Sequence, residues 1–345
     1  MIFSLKRRSK LILALLCLSA SLFSQSDDYS LSGPLYGKNY YLVHLPVYSF
    51  PGFSPRSGEE GDRYLSTAYT TLNEFVAYDE ETAAIDYESS ILDFSYKQRP
   101  ADKLILGVDG RIISYYGGWA DSVIESFHSL FGFPNAGRQY FDRDDVFADV
   151  DNRYGTDLTL DNSVIALGDT DLYGVWTFYE DRVLYLALAG ALKLPTGNLN
   201  DCSGSGWADG GLQFLGEWDF SPKWALHFQQ GFVIPGDWLG DIFFDVDSYS
   251  QYPVSQTFLA LQYSPRSDWS FLSQFRINTS PISSDRSRYF TTIGEVNLFT
   301  LPQTAFQMGV KKAYGPWTLQ FYFEEDPLTY EGADILLSLR LNRAF

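Results

Sequence analysis

Between Arg182 and Leu194 the large apolar residues fall on even positions, Leu184, Leu186, Leu188, Leu192 and Leu194, while the odd positions carry Ala187, Ala189, Ala191 and Lys193. A period of two is that of a β-strand, whose successive side chains point to opposite faces. After Pro195-Thr196-Gly197 and a polar loop, Leu212, Phe214, Trp218 and Phe220 alternate with Gln213, Glu217 and Asp219. One face of this hairpin is therefore aliphatic and aromatic, and the other carries charge. A wall with lipid outside and water inside has that pattern when many such hairpins follow one another.

They do follow. Strand-length runs recur at Tyr64–Ala77, Ala84–Tyr96, Lys103–Tyr115, Thr170–Tyr179, Arg182–Leu194, Gly211–Phe220, Lys223–Val233, Val254–Ser264, Trp269–Asn278, Thr304–Ala313, Trp317–Glu324 and Asp334–Phe345. About ten residues is what a tilted strand needs to cross the hydrocarbon layer. Short connections, such as Glu180-Asp181, Ser221-Pro222 and Gly315-Pro316, follow the even-numbered strands, whereas all the long ones follow odd-numbered strands. Bacterial barrels have short periplasmic turns and longer outer loops. The expectation is an all-β protein: a transmembrane antiparallel up-and-down β-barrel of about twelve strands over residues 64–345, with both ends of the barrel in the periplasm. Counting Tyr40–Tyr48 and Tyr289–Phe299 as strands would raise the number to about fourteen. Residues 25–63, rich in Tyr, Pro, Gly and Ser, precede the barrel as a periplasmic or plug segment.

One stretch keeps a helical period. Ser122 and Glu125 have capping-box spacing, Val123, Ile124, Phe127, Leu130 and Phe131 form an apolar stripe, and Gly132 with Pro134 ends the run. This short amphipathic helix lies in the longest loop and cannot span a bilayer. Leaving its large side chains in water would cost about 1.5–3 kcal/mol each, so the stripe is expected to dock. Val123, Ile124, Phe127 and Phe131 are the candidates for a lid or constriction.

Composition adds the compartment. Lys6, Arg7, Arg8 and Lys10 precede the apolar run Leu11–Leu18, and small or polar residues follow. That is a secretory signal peptide over residues 1–24, with cleavage between Ser21 and Ser26. Beyond it no apolar run is long enough for a membrane-spanning helix. Aromatic residues make up 17% of the chain, yet mean hydropathy is only −0.14, which suits strands with one wet face. The net charge of −18 argues against nucleic acid as a partner. Cys17 falls in the signal segment behind a bulky Leu16, unlike a lipidation site, which leaves Cys202 without an intramolecular disulfide partner. The last strand places Ile335, Leu337, Leu339, Leu341 and the terminal Phe345 on one face, although Arg343 interrupts it. A terminal aromatic on such a strand resembles the signal read by the barrel assembly machinery. Outer-membrane lipid and that machinery are the expected partners, in the outer membrane of a diderm bacterium.

The chain also resembles an uncharacterised bacterial family defined as a domain of unknown function. The matching pieces are Gly117-Gly118-Trp119-Ala120-Asp121 leading into Ile124-Glu125-Ser126-Phe127-His128, then Phe131-Gly132-Phe133-Pro134 and Gly137-Arg138. Lys193-Leu194-Pro195-Thr196-Gly197, Glu325-Asp326 and the closing strand match as well. The resemblance implies an outer-membrane barrel and carries no activity with it. The Lys-Leu-Pro-Thr-Gly run alone is shared with other barrel families.

Chemistry is sparse. The three histidines are His44, His128 beside Ser126 and Ser129, and His227 near Glu217 or Asp219. No metal-ligand spacing appears, and neither a metal nor a cofactor is expected. The inward positions are a better place for function: Lys103, Asp109, Arg111, Lys193, Gln213, Glu217, His227, Gln229, Gln274, Arg276, Glu324 and Arg340. Mixed signs suit either a salt-bridged core or a narrow polar path. The functional expectation is a channel or passive transporter of small solutes. The alternatives are a barrel enzyme acting on lipid or envelope substrates and a structural or surface barrel without a pore.

Overall fold

The computed structural model describes residues 31–42, 44–45, 47–77, 83–132, 142, 144–150, 158–160, 162–236, 253–280, 302–326 and 335–345. The signal segment, the Tyr289–Phe299 run, and the Phe133-Pro134 and Gly137-Arg138 pieces lie outside these residues, as do the side chains of Phe127, His128 and Phe131.

The strands are β1 (Arg63–Ala77), β2 (Ala83–Ala101), β3 (Leu104–Tyr116), β4 (Phe147–Val150), β5 (Leu158–Leu160), β6 (Val164–Leu167), β7 (Thr170–Glu180), β8 (Leu184–Leu194), β9 (Asp209–Ser221), β10 (Trp224–Ile234), β11 (Val254–Arg266), β12 (Trp269–Asn278), β13 (Gln303–Tyr314), β14 (Trp317–Glu325) and β15 (Ile335–Ala344). Helix α1 covers Asp121–Phe131. The twelve alternating segments are the twelve staves of a closed antiparallel barrel. Their largest boundary difference is at β2, which runs on to Ala101. The ring closes where β1 pairs with β15, from Tyr64 opposite Ala344 to Asn73 opposite Ile335. Arg63 and Phe345 exchange both backbone bonds, at 3.1 and 3.0 Å, so the seam is zipped to the last residue. Where the twelve staves pair around the ring, closure leaves them no open edge to be satisfied in lipid.

Three short strands were not visible as a pattern, being too short to show a period. β6 and β7 pair with successive halves of β3 and form one stave interrupted at Gly168-Asp169. β4 adds to the end of β2 where β3 has left the wall, and β5 pairs with β4.

The outer face is apolar. Leu212, Phe232, Leu259 and Met308 are each at least half exposed, and the band continues through Phe94, Leu106, Leu188, Phe271, Phe321 and Leu339. A water-facing surface does not carry so large a continuous patch. At the end bearing the short turns the band finishes in aromatics. Trp218 packs on Phe220 at 5.6 Å, Trp224 on Tyr263 at 4.6 Å, and Trp269 stacks on Phe271 at 5.9 Å. Arg343 lies over the rings of Trp317 and Phe345, at 5.2 and 5.5 Å, which explains how a cation is accommodated in the terminal strand. Such girdles mark the membrane–water boundary of barrels.

Helix α1 is anchored at its start by polar contacts. The Trp119 and Ala120 N–H groups donate to Glu88, and Asp121 accepts from Asn73 and from the Asp144 N–H. Ile124 is buried, whereas Val123 is 50% and Leu130 77% exposed. The docked stripe expected from periodicity is thus confined, among the described side chains, to Ile124. The helix starts at Asp121, and its first intrahelical bonds run from Val123 and Ile124 to the Ala120 carbonyl, so Ala120 stands at the cap in place of Ser122.

Candidate functional site: the plugged lumen

The inside of the barrel is occupied by the chain's own N-terminal segment. From Leu31 the backbone rises from the short-turn end, reverses at Tyr41–Val47 and returns through Tyr48–Ser57 to enter β1. The reversal is made by His44 and Leu45 N–H groups donating to the Tyr41 carbonyl, and by Val47 N–H donating to that of His44. The described residues of Tyr40–Tyr48 therefore form a turn in the lumen and add no strand to the wall. The two legs touch through the Ser32 and Ser54 hydroxyls at 2.7 Å and through Asn39 N–H to Ser49 Oγ at 3.0 Å. Between Leu31 and Pro55 every described residue except Tyr36 and Ser54 is buried.

The described residues of the hairpin form no strand, so its backbone must find partners elsewhere. Lumen glutamines supply them, because a primary amide carries the same donor and acceptor as a peptide group. Gln256 accepts from Phe50 N–H at 2.9 Å and donates to the Tyr48 carbonyl at 3.0 Å. Gln320 does both for Tyr36, at 3.1 and 3.2 Å. Gln274 accepts from Leu35 N–H, Gln229 donates to the Phe53 carbonyl, and Gln262 donates to that of Leu31. Lys311 gathers the carbonyls of Ser32, Gly33 and Pro34 at 2.8–3.1 Å.

Charge completes the seating. Lys38 Nζ lies 3.0 Å from Asp109 and 2.6 Å from Asp171, and Arg111 donates to the same Asp171 oxygen at 2.5 Å. Tyr36 and Tyr40 donate to Asp109 and Asp93 at 2.5 and 2.6 Å. Arg340 lies 3.7 Å over the Tyr36 ring. Arg56, on the returning leg, bridges Glu217 and Asp219 at 2.5 and 2.6 Å. On the far wall Arg276 meets Glu324 at 2.9 Å. Unpaired charges in such an interior cost several kcal/mol each, so this interlocking arrangement is what lets so many ionised groups be buried.

The inward residues read from sequence divide as follows. Asp109, Arg111, Lys193, Gln213, Glu217, His227, Gln229, Gln274, Arg276, Glu324 and Arg340 line the interior, and Lys103 sits at the β2–β3 turn with φ 61°. His227 is held between Glu217 at 3.5 Å and Gln262 at 2.9 Å. His44 belongs to the plug, where it packs on Tyr41. Sequence reasoning passed over Lys38, Arg56, Asp93, Asp171, Lys311, Gln256 and Gln320. The available signal was the recurrence of glutamine at inward positions, where serine or threonine would satisfy polarity at lower side-chain entropy.

The Lys-Leu-Pro-Thr-Gly run gains a local explanation. Lys193 Nζ reaches Asp169 at 2.8 Å, Ser205 Oγ at 2.5 Å and Asp209 at 3.3 Å. Asp169 in turn accepts from Gly197 N–H, and Asp209 accepts from the plug's Tyr48 N–H at 2.7 Å. One ammonium thereby joins the β8–β9 loop, the broken β6–β7 stave and the plug. Cys202 sits in this loop, 3% exposed, with its thiol pushed up to about 12 by burial and the nearby Asp201. The thiolate is the reactive form. Maleimide at neutral pH is therefore expected to leave Cys202 unmodified in the folded barrel and to label it after denaturation; labelling at equal rates in both states would show the loop to be open.

No functionally curated protein matches the chain in sequence. Among solved structures, the COG4313 outer membrane channel from Pseudomonas putida F1 is similar at a TM-score of 0.55 and 16% identity, covering 83% of this chain and 96% of that one. The NanC porin follows at 0.43 and 7% identity (82% and 98% covered), and the KdgM porin at 0.42 and 6% (81% and 99%). The first likeness shows a common fold, that of an outer-membrane β-barrel. In sequence, residues 50–291 match the protein family of unknown function DUF3187. That span takes in most of the returning leg of the plug, the polar node at Lys193 and most of the wall, and the chain is a member of the DUF3187 family.

Proposed function

We propose that the protein is an outer-membrane channel for small solutes, closed at rest by its own N-terminal hairpin. The observation that carries this reading is how the plug is held. Side-chain amides, carboxylates and ammonium groups bind it one by one, and its described residues share no β-ladder with the wall. A permanent filling would gain more from a continuous ladder. A plug bound by separable contacts can leave while every stave stays paired. In this reading lipid surrounds the apolar band, the short turns and Phe345 face the periplasm, the leader directs export, and the terminal strand guides assembly.

Conductance of the purified protein in planar bilayers tests it. The wild type is expected to be mostly closed with brief openings. Replacing Gln256 and Gln320 by Leu removes four plug hydrogen bonds of about 0.5–1.5 kcal/mol each and should raise open occupancy at least about tenfold. Silence from both proteins, with the barrel shown to be folded by heat-modifiable gel migration, would favour a structural barrel instead.

A further inference from the structure

Lys38 stands in the lumen as a ligand stands in a site. Its ammonium is buried between two wall carboxylates, Asp109 on β3 and Asp171 on β7, at 3.0 and 2.6 Å. Both carboxylates are buried, and each keeps its Oδ1 without a hydrogen-bond partner among the described residues. Arg111 is the wall's own cation on Asp171, and Asp93 lies 4.0 Å from it on the other side. Withdrawal of the hairpin takes away Lys38 and also the Tyr36 and Tyr40 hydroxyls that cover Asp109 and Asp93. Asp93, Asp109 and Asp171 would then face an emptied lumen, with Arg111 between them and with Arg340 and Lys97, which lie 3.7 and 4.4 Å over the Tyr36 ring, as the next cations.

We propose that Asp109 and Asp171 form an ammonium-binding site in the channel, filled at rest by Lys38 of the plug and taken by the primary ammonium group of a permeating solute when the plug withdraws. The proposal rests on the channel reading for its transport meaning. The chemistry is specific in kind. A primary ammonium carries three donors on a compact charge and can serve both carboxylates at once, which a quaternary ammonium, having no N–H, cannot. Attraction to the charged partners also exceeds what a neutral hydroxyl of the same length obtains.

The test is chemical rescue in the full-length chain. Lys38→Ala deletes the atoms of a propylammonium ion and leaves their space. Loss of the heat-modifiable folded form on a temperature ramp is measured for the detergent-purified variant with propylammonium, propanol or tetramethylammonium. The expected result is a saturable rise in midpoint with propylammonium, at least about tenfold tighter than with propanol. Tetramethylammonium should have no effect, and the rescue should vanish in Lys38→Ala/Asp171→Asn. An equal response to propanol, or none to propylammonium in a variant shown to be folded, overturns the site. Should Lys38→Ala fail to assemble, refolding it with propylammonium asks the same question: recovered yield supports the site, and unrecovered yield overturns it. The measurement uses no conductance. Rescue without conductance would retain the site and sink the channel, whereas conductance without rescue would sink the site alone.

Discussion

Replacing Gly211 and Gly231 together by Val will drive the plug from the lumen while the barrel continues to assemble. These glycines form a notch in the β9–β10 wall that receives the Phe50 ring. A Cβ on Gly211 would lie 2.8 Å from that ring, and one on Gly231 2.9 Å. Phe50 is fully buried and makes edge contacts with Tyr48 and Phe53, at 4.9 and 6.4 Å. The added side chains and the Phe50 ring cannot share the notch. Overpacking costs about 1–3 kcal/mol per site. Valine is at the same time a better strand residue than glycine, and on the wall side Val233, whose Cγ2 lies 3.2 Å from a Cβ on Gly211, has only to give by a few tenths of an ångström. The expected readouts are an open occupancy raised at least about tenfold and new trypsin cleavage at Lys38 and Arg56. Unchanged conductance and resistance to trypsin in a folded double variant would show that Phe50 is not what seats the hairpin.

Lys193→Ala is expected to be the most destabilising single substitution in the polar interior. It removes the cation from between Asp169 and Asp209, both buried, and leaves two carboxylates facing each other. Breaking a buried pair by deleting one partner costs about 3–5 kcal/mol. The loss should spread, since Asp169 holds the Gly197 and Ser205 N–H groups and Asp209 those of Tyr48 and Gly236. Urea unfolding in detergent measures it, and Lys193→Ala combined with Asp169→Asn should recover part of the loss. A change below about 1 kcal/mol would mean that water replaces the ammonium without consequence.

The wall was legible in the amino-acid sequence because lipid on one side and a polar interior on the other impose a strict alternation on every stave. Leu188 and Leu192 against Ala187, Ala189 and Lys193 show it in one strand. The plug was legible only as a segment rich in Tyr, Pro and Gly. Its environment is irregular, each backbone group meeting a different side chain, and an irregular environment leaves no period. The partners of Lys38 and Arg56 come from β3, β7 and β9, and no local spacing records such a meeting. Helix α1 was legible as an element, and what the spacing did not show is how it is held. Its period was genuine, but Glu88 and Asp121 fix its start, and Val123 and Leu130 remain in the open.

Both legs of the hairpin lie toward the end where β1 begins, and the returning leg joins that strand through Gly58 and Gly61. There Gly61, at φ 95°, donates to the Arg99 carbonyl at 3.0 Å, and Arg99 N–H donates to that of Asp62 at 2.9 Å. A doubled-back chain of this kind can slide out like a finger from a glove. The seam between β1 and β15 need not part. The tether that remains is short, which keeps the withdrawn hairpin at a local concentration on the order of millimolar near its own mouth. In the proposed channel, reclosure would then be an intramolecular event whose rate is independent of how much protein the membrane holds.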